Sequence, residues 1–562
     1  MIQGPFLRVL EHARFRLYFR YGTAAFLAAF LLVPLPAQTN LAPAKKATSP
    51  DTNSASGTHP SRITPEQAQR LFSSVDAILK FDSEDTGLPI LHSVRRRLVT
   101  RAHVERYLMQ QLHDDRDAKR LERSELVLKK FGLLDRDFQL QPFLIKLLRE
   151  QIAGYYNDKT QTVNLLDWIP PAEQKPVLAH ELTHALQDQH IHLAKWDQQS
   201  DQSVAKNVRQ DNRHIATDEQ DTARDAVVEG QAMAVFLDYA LAPAGKNILT
   251  APQVVDKMDQ AMADSADSPT LSSAPLLLQQ SLIFPYVAGL KFVQTVLAAR
   301  GKQAAFAGML DRPPSSSYEI MTPKVYLDRA PVPLLHMPDI HALIDPHYRP
   351  YDIGVMGEFD VQILTELFGG QNAAKALTPA WRGGIYYTAQ DKSVKSEAED
   401  NSPASLALLY LSRWATPQDA QAFAEIYARE VPRKYDHAIP VPDSESGPEN
   451  ASSHTRIWNT AEGPVLIVSN GRTVYISESF PLDLARKLQL VMMGSITDSA
   501  SSVEVQLREP QPELTAPLRH RLFDAGIARA FLRRVSTRSN SPSKIVHGKT
   551  AIPSIANASA IY

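Results

Sequence analysis

The chain has 562 residues, 44% hydrophobic and 22% charged, which is apolar material enough for about two to four globular domains. Its formal net charge of −2 gives no sign of a nucleic-acid binder or of a body drawn to an anionic membrane. It contains no cysteine, which excludes disulfides, thiolate metal sites and a cysteine nucleophile without fixing a compartment.

In chain order, Arg8, Arg14, Arg16 and Arg20 precede an uncharged run over residues 21–37, whose apolar centre is 24–33. A positive start followed by an apolar stretch short for a membrane span reads as a signal peptide or N-terminal anchor over residues 1–44. Ala37, or Ala42 and Ala44, offer cleavage sites. Either way the body is expected to be exported: periplasmic or secreted, or anchored in the inner membrane by this segment. Residues 45–62, rich in Ser, Thr, Pro and Ala, read as a disordered linker.

A first large domain is expected over residues 63–345. Thr64 could cap a helix that begins at Pro65, and 94–108, 116–131 and 143–152 carry apolar residues at helical spacing. The period then changes. Gly154-Tyr155-Tyr156 and Thr162-Val163-Asn164-Leu165-Leu166 are short strand-like runs around the turn-rich Asn157-Asp158-Lys159-Thr160, so they predict a hairpin. An exposed strand at such a place could take an extended peptide by main-chain pairing, or be purely structural.

Directly after it comes Val177-Leu178-Ala179-His180-Glu181-Leu182-Thr183-His184-Ala185-Leu186, which reads H-E-x-x-H. Positions i and i+4 lie one helical turn apart on one face, so His180 and His184 can meet one metal ion. Imidazole nitrogen suits Zn²⁺, one ion per chain, and a third protein ligand leaves a fourth position for water. Glu181 is then placed to take a proton from that water.

Two residues compete as third ligand. His190 completes the spacing H-E-x-x-H-x-x-Q-x-x-H, but Gln187 stands where a metzincin has the glycine that lets the chain leave the helix sharply. Glu229 lies on a second apolar helical segment over 223–239, in Asp225-Ala226-Val227-Val228-Glu229-Gly230-Gln231-Ala232, and would give a His₂Glu site. Glu229 is preferred for that reason. Asp188, four after His184, and Asp225, four before Glu229, are candidates to orient a ligand histidine or to be solvated helix charges. Tyr155, Tyr156, Tyr318 and Tyr326 are candidates to steady an oxyanion, each against the alternative of simple packing.

Residues 196–222 are dense in Asp, Gln, Asn and Ser and read as a flexible, partly helical surface excursion that could overhang the cleft. Residues 276–299 form a strong apolar helical pattern, interrupted by Gln279, Gln280, Lys291 and Gln294, and are expected in the core of this domain and not in a membrane. From 346 to 496 the pattern is a helix (358–368), strands (384–388 and 406–413), a helix behind Thr416, three strands with a hairpin at Asn470-Gly471, and a last helix (481–493). This predicts a small α+β sandwich domain. Residues 497–562 read as a mostly disordered tail, in which 518–535 could form a basic helix touching an anionic surface.

Over residues 151–239 the chain resembles the gluzincins, the thermolysin-like zinc peptidases with HExxH plus a glutamate on a following helix. More closely, it resembles a group of exported bacterial proteins with A-G-Y-Y, H-E-L-T-H-A-L-Q-D-Q-H and E-G-x-A motifs, and it continues more weakly at Phe131-Gly132-Leu133-Leu134-Asp135 and 312–326. There the group has a serine/threonine-glutamate pair and a histidine before proline, where this chain has Ser317-Tyr318 and Thr322. The resemblance implies an α+β, mainly helical zincin-type domain with an edge hairpin. It also implies an exported zinc endopeptidase acting on peptide or protein substrate, with His180, His184 and Glu229 on zinc and Glu181 as general base. The alternatives are a non-catalytic envelope protein that keeps the fold for binding or structure, and a zinc hydrolase of another substrate class.

Overall fold

The computed structural model describes residues 62–499, except 113–114, 152–153, 197–206, 264–268, 395, 397–398, 400 and 443–452. The expected signal segment, the linker up to residue 61 and the tail from 500, with its basic helix, lie outside the described residues, which all belong to one compact unit.

The helical part opens with α1 (Pro65–Thr86), capped as the sequence suggests: Gln67 N donates to Thr64 Oγ1 at 3.2 Å, and Thr64 N donates to Gln67 Oε1 at 2.7 Å. The helix expected from residue 94 is instead β1 (Arg95–Val99) followed by α2 (Arg101–Leu112). Arg95, Arg96 and Arg97 lie exposed along an edge while Val99 is buried, and β3 (Thr162–Leu166) supplies a parallel partner that helical spacing cannot reveal. α3 (Asp115–Phe131) ends at Gly132, whose φ of +80° lets Gly132 N reach Lys129 O and Leu133 N reach Leu128 O. α4 (Leu140–Gln151) leads into the expected hairpin, β2 (Tyr155–Asn157) and β3. The hairpin is therefore part of a three-stranded mixed sheet of order β1-β3-β2, with β2 on an edge.

α5 (Pro171–Ile191) carries the HExxH motif and is buried on every side from Val177 to Gln189. Pro176 falls inside this helix, past its first turn. After α6 (Val208–Thr217), the helical piece of the polar excursion, α7 (Gln220–Leu241) packs against α5. α8 (Gln253–Ala263) precedes α9 (Leu276–Gln303), which is long and apolar enough to cross a membrane by length and composition, yet packs one face on α7. The crossing is backbone against backbone. A Cβ on Gly230 would stand 2.3 Å from Gly289 C, and one on Gly289 would stand 2.1 Å from Ala226 O. α9 runs into a π turn over Ala304–Gly308, and the short helices α10 (Ser317–Met321) and α11 (Pro323–Asp328) follow.

The remaining strands form one antiparallel sheet of order β4-β5-β6-β10-β9-β8-β7. They are β4 (Tyr348–Val355), β5 (Trp381–Asp391), β6 (Leu406–Trp414), β7 (Ile439–Pro440), β8 (Ser453–Thr460), β9 (Gly463–Asn470) and β10 (Thr473–Glu478). β4 was not anticipated. α12 (Glu358–Gly369), α13 (Pro417–Lys434) and α14 (Leu482–Ser499) complete it, and Gly471 takes a φ of +54° in the turn joining β9 to β10. Side chains alternate strictly along the central strands. Leu406, Leu408 and Tyr410 face the helical part with Val474 and Ile476, while Ala407, Leu409 and Leu411 face α14 with Tyr475. The first of these clusters runs unbroken from Leu71 on α1 to Ile476 on β10, so the described fold is α+β with one core across residue 345.

Two buried lysines bind the helical part to the sheet. Lys130 on α3 donates to Glu462 Oε2 at 2.9 Å and Ser479 Oγ at 2.7 Å. Lys434 at the end of α13 pairs with Glu478, and burial pulls its pKa down to about 8. Its stem covers Gly132, where a Cβ would lie 2.9 Å from Lys434 Cγ.

Candidate metal centre

On α5 the i, i+4 spacing puts the imidazoles of His180 and His184 4.7 Å apart between ring centroids, at an interplanar angle of 75°. α7 brings Glu229 to them. Its Oε2 lies 3.1 Å from His180 Nε2 and 3.5 Å from His184 Nε2, and the three residues can each offer one ligand atom within 4.8 Å of the others. Ligand atoms around a tetrahedral zinc, each about 2.0–2.2 Å from it, stand roughly 3.3–3.5 Å apart, so two imidazole nitrogens and one carboxylate oxygen at this spacing fit such an ion. Among the described residues no other set of three His, Cys, Asp or Glu converges in this way. The group is enclosed: His180 is 1% exposed, His184 0% and Glu229 6%.

Gly230 explains how the enclosure closes. With no side chain next to Glu229, α9 lies directly on α7, and one turn before Gly289 the ring of Tyr286 stacks 6.4 Å from that of His180. Tyr286 was read from the sequence as core; only the tertiary crossing puts it beside a ligand.

Glu181, 0% exposed, is held by the hairpin: Tyr156 N donates to its Oε2 at 2.8 Å. This ties the edge strand β2 to the residue expected to act as base. Gly154 makes room for the approach, since a Cβ there would stand 3.2 Å from Val177 Cγ1.

The other expected residues fall as follows. Tyr156 OH donates to Asp188 Oδ2 at 2.9 Å, and Asp188 Oδ1 accepts from Leu193 N at 3.0 Å, so Asp188 secures the hairpin and the end of α5. Burial first, then the Asp188 charge, push the Tyr156 phenol well up and keep it neutral. Tyr155 stacks on Tyr107 at 5.0 Å, and Asp225 is half-buried on α7. Tyr318 packs on Trp381 at 5.8 Å, Tyr326 OH donates to Arg312 O at 2.9 Å, and Thr322 N donates to Tyr318 O at 2.9 Å. His190 Nε2 lies 3.1 Å from Asp311 Oδ1, away from the triad. α5 runs on through Gln187 and stops only at His192, whose φ is +54°.

What sequence reading missed is the amide at Gln187. Its Oε1 lies 2.8 Å from His184 Nδ1, and its Nε2 donates to Val228 O at 3.0 Å and to Gln231 Oε1 at 2.9 Å. The signal was present as Gln at i+3 from a ligand histidine, but only α7 shows what the amide faces.

Two further buried acid groups lie at the ends of α7. Just before it, Glu219 accepts from Ser317 Oγ, and burial pushes its pKa up to about 7. Burial and the neighbouring Glu219 push Glu358, which begins α12, to about 8. The Glu219 carboxylate comes right up to the backbone at Gly357, where a Cβ would stand 2.0 Å from its Oε1. In the last turn, Asp238 Oδ1 accepts from Ile248 N at 2.6 Å, and burial with nearby Asp85 pushes its pKa to about 7.

No family model matches the chain, and no curated protein matches it. Among solved structures, a candidate hydrolase with a novel fold from Chloroflexus aurantiacus is similar at 14% identity with a TM-score of 0.26, over 58% of this chain and 98% of that one, too slight a likeness to bear on function.

Proposed function

We propose that the protein is an exported zinc-dependent endopeptidase of gluzincin type, with His180, His184 and Glu229 as ligands and Glu181 as general base. The observation that carries this reading is the convergence of the two HExxH nitrogens with a carboxylate from a second helix, at a spacing suited to one ion. A zinc ion bound there would polarise a carbonyl oxygen and acidify a water molecule. Glu181 then takes the proton of the attacking water and hands it to the departing amine. Tyr156 N fixes one oxygen of that carboxylate, so the base is aimed before substrate arrives. β2 is an edge strand joined to the same carboxylate, and an extended peptide pairing with it would compete with Glu181 for Tyr156 N.

Full burial of Glu181 and both histidines favours a second reading, a non-catalytic envelope protein in which the ion is structural. Glu181→Gln separates the two. In the enzyme it lowers hydrolysis of a mixed fluorogenic peptide library by at least ~100-fold while zinc stays bound. Wild-type protein that holds zinc and cleaves no peptide at any pH would leave the structural reading standing.

A further inference from the structure

We infer that Gln187 and Gln231 form a one-way amide relay that holds His184 in its Nδ1–H tautomer and so keeps the lone pair of Nε2 turned toward Glu229. The functional consequence rests on the metal-centre reading above; the tautomer itself does not.

The direction of the relay follows from groups that can only accept. Gln231 Nε2 donates to Ala305 O at 2.8 Å and to Phe306 O at 3.0 Å, two carbonyls of the π turn after α9. Were this amide turned over, its oxygen would face two carbonyl oxygens with no proton between them, so its orientation is fixed. Gln231 Oε1 must then accept, and it takes one proton of Gln187 Nε2 at 2.9 Å. Val228 O, another obligate acceptor, takes the second at 3.0 Å. Gln187 has spent both its donors, and the oxygen left to it stands 2.8 Å from His184 Nδ1. An amide oxygen cannot donate, so the proton in that hydrogen bond belongs to Nδ1. Both glutamines are 0% exposed, so bulk solvent does not compete for these hydrogen bonds.

The other tautomer would put a proton on Nε2, 3.5 Å from Glu229 Oε2, in the place a metal needs. The relay therefore pays in advance for the correct form of one ligand. Gln187 and Gln231 are positioning residues, acting through His184. Their arrangement also links the ligand to the π turn, so that α5, α7 and the end of α9 must be in place together before His184 is set.

The test reads tautomer and affinity separately on the full chain. In zinc-free protein labelled with ¹⁵N-histidine, magic-angle-spinning NMR should find His184, identified by the signal lost in His184→Gln, carrying a proton on Nδ1. Gln187→Leu and Gln231→Leu should admit the Nε2–H form and weaken zinc binding ~10–100-fold in chelator competition. Gln187→Glu keeps an accepting oxygen and, as the neutral acid, one donor; it should retain the Nδ1–H form and most of the affinity. A bare Nδ1 in wild type overturns the relay, as does an unchanged Nδ1–H in a folded Gln187→Leu or Gln231→Leu variant. If both Leu variants fail to fold, the wild-type tautomer and the Gln187→Glu affinity still decide. Protein that takes up no zinc yet shows Nδ1–H would refute the metal-centre reading and leave the relay intact.

Discussion

Three buried carboxyl groups on or beside α7, Glu219, Glu229 and Asp238, are answered in two ways. In the middle, Glu229 faces His180 and His184 at distances that fit a shared cation. At the ends, Glu219 and Asp238 face hydroxyl, backbone N–H and other acids, and burial moves both to about 7, so near neutrality the proton takes the part of the cation. Burial alone therefore does not make a metal site: the difference is two imidazoles presented one turn apart by a neighbouring helix. The same helix shows what an acid does with those partners and without them.

The sharpest way to break this comparison is to remove one carboxylate at a time. Glu229→Ala should reduce bound zinc from about one per chain to near none, while Glu219→Gln, Asp238→Asn and His190→Ala should each keep about one. Metal analysis after dialysis checks it. Zinc lost from His190→Ala and kept by Glu229→Ala would move the third ligand to His190.

A smaller effect is expected from the helix crossing that sets Glu229. Gly230→Ala forces a methyl into the backbone of Gly289 and should cost about 1–3 kcal/mol of stability. Gly494→Ala, with open space around its Cβ, should be neutral or stabilising by under about 1 kcal/mol. Denaturant unfolding of the two variants makes the contrast.

The smallest effect is a slope with pH. Glu219, Asp238 and Glu358 have folded pKa values raised above their ordinary 4.5, 3.8 and 4.5, to about 7, 7 and 8. The folded state then binds more protons than the unfolded one, so their contribution is fully present below about pH 4 and is lost as pH rises through 7 to 8. Zinc-free wild type should lose stability between pH 5 and 8, and Glu219→Gln should flatten that loss. A wild-type profile that rises across this window would show these carboxyls ionised in the fold.

Much of the centre was legible because its chemistry is local. His180, Glu181 and His184 share one helix, and their spacing is a statement about that helix alone. Glu229 was reachable because it stands in a helical segment with an apolar face, and because Gln187 lacks the glycine that His190 would need. Gln187, by contrast, looked like a residue that merely forbids a turn, and Tyr286 like one more core aromatic; Gln187 acquires its meaning from α7, about forty residues on, and Tyr286 from His180 on α5, about a hundred residues back. β1 escaped for the same kind of reason. Arg95, Arg96 and Arg97 carry no strand signal until the parallel partner β3 is in place.

The lysines of the core bear on how such a protein can evolve. Lys130 comes from the helical part and finds its carboxylate in the turn after β8; Lys434 leaves the sheet part to lie across Gly132. A gene cut near codon 345 would leave Lys130 in one product and Glu462 in the other. Each product would lose the buried pair and lay open to water the apolar core it shares with the other. Recombination that swaps either half for a foreign one meets the same obstacle. The two halves of the described fold therefore depend on one another across residue 345, through a buried pair as well as through shared apolar surface.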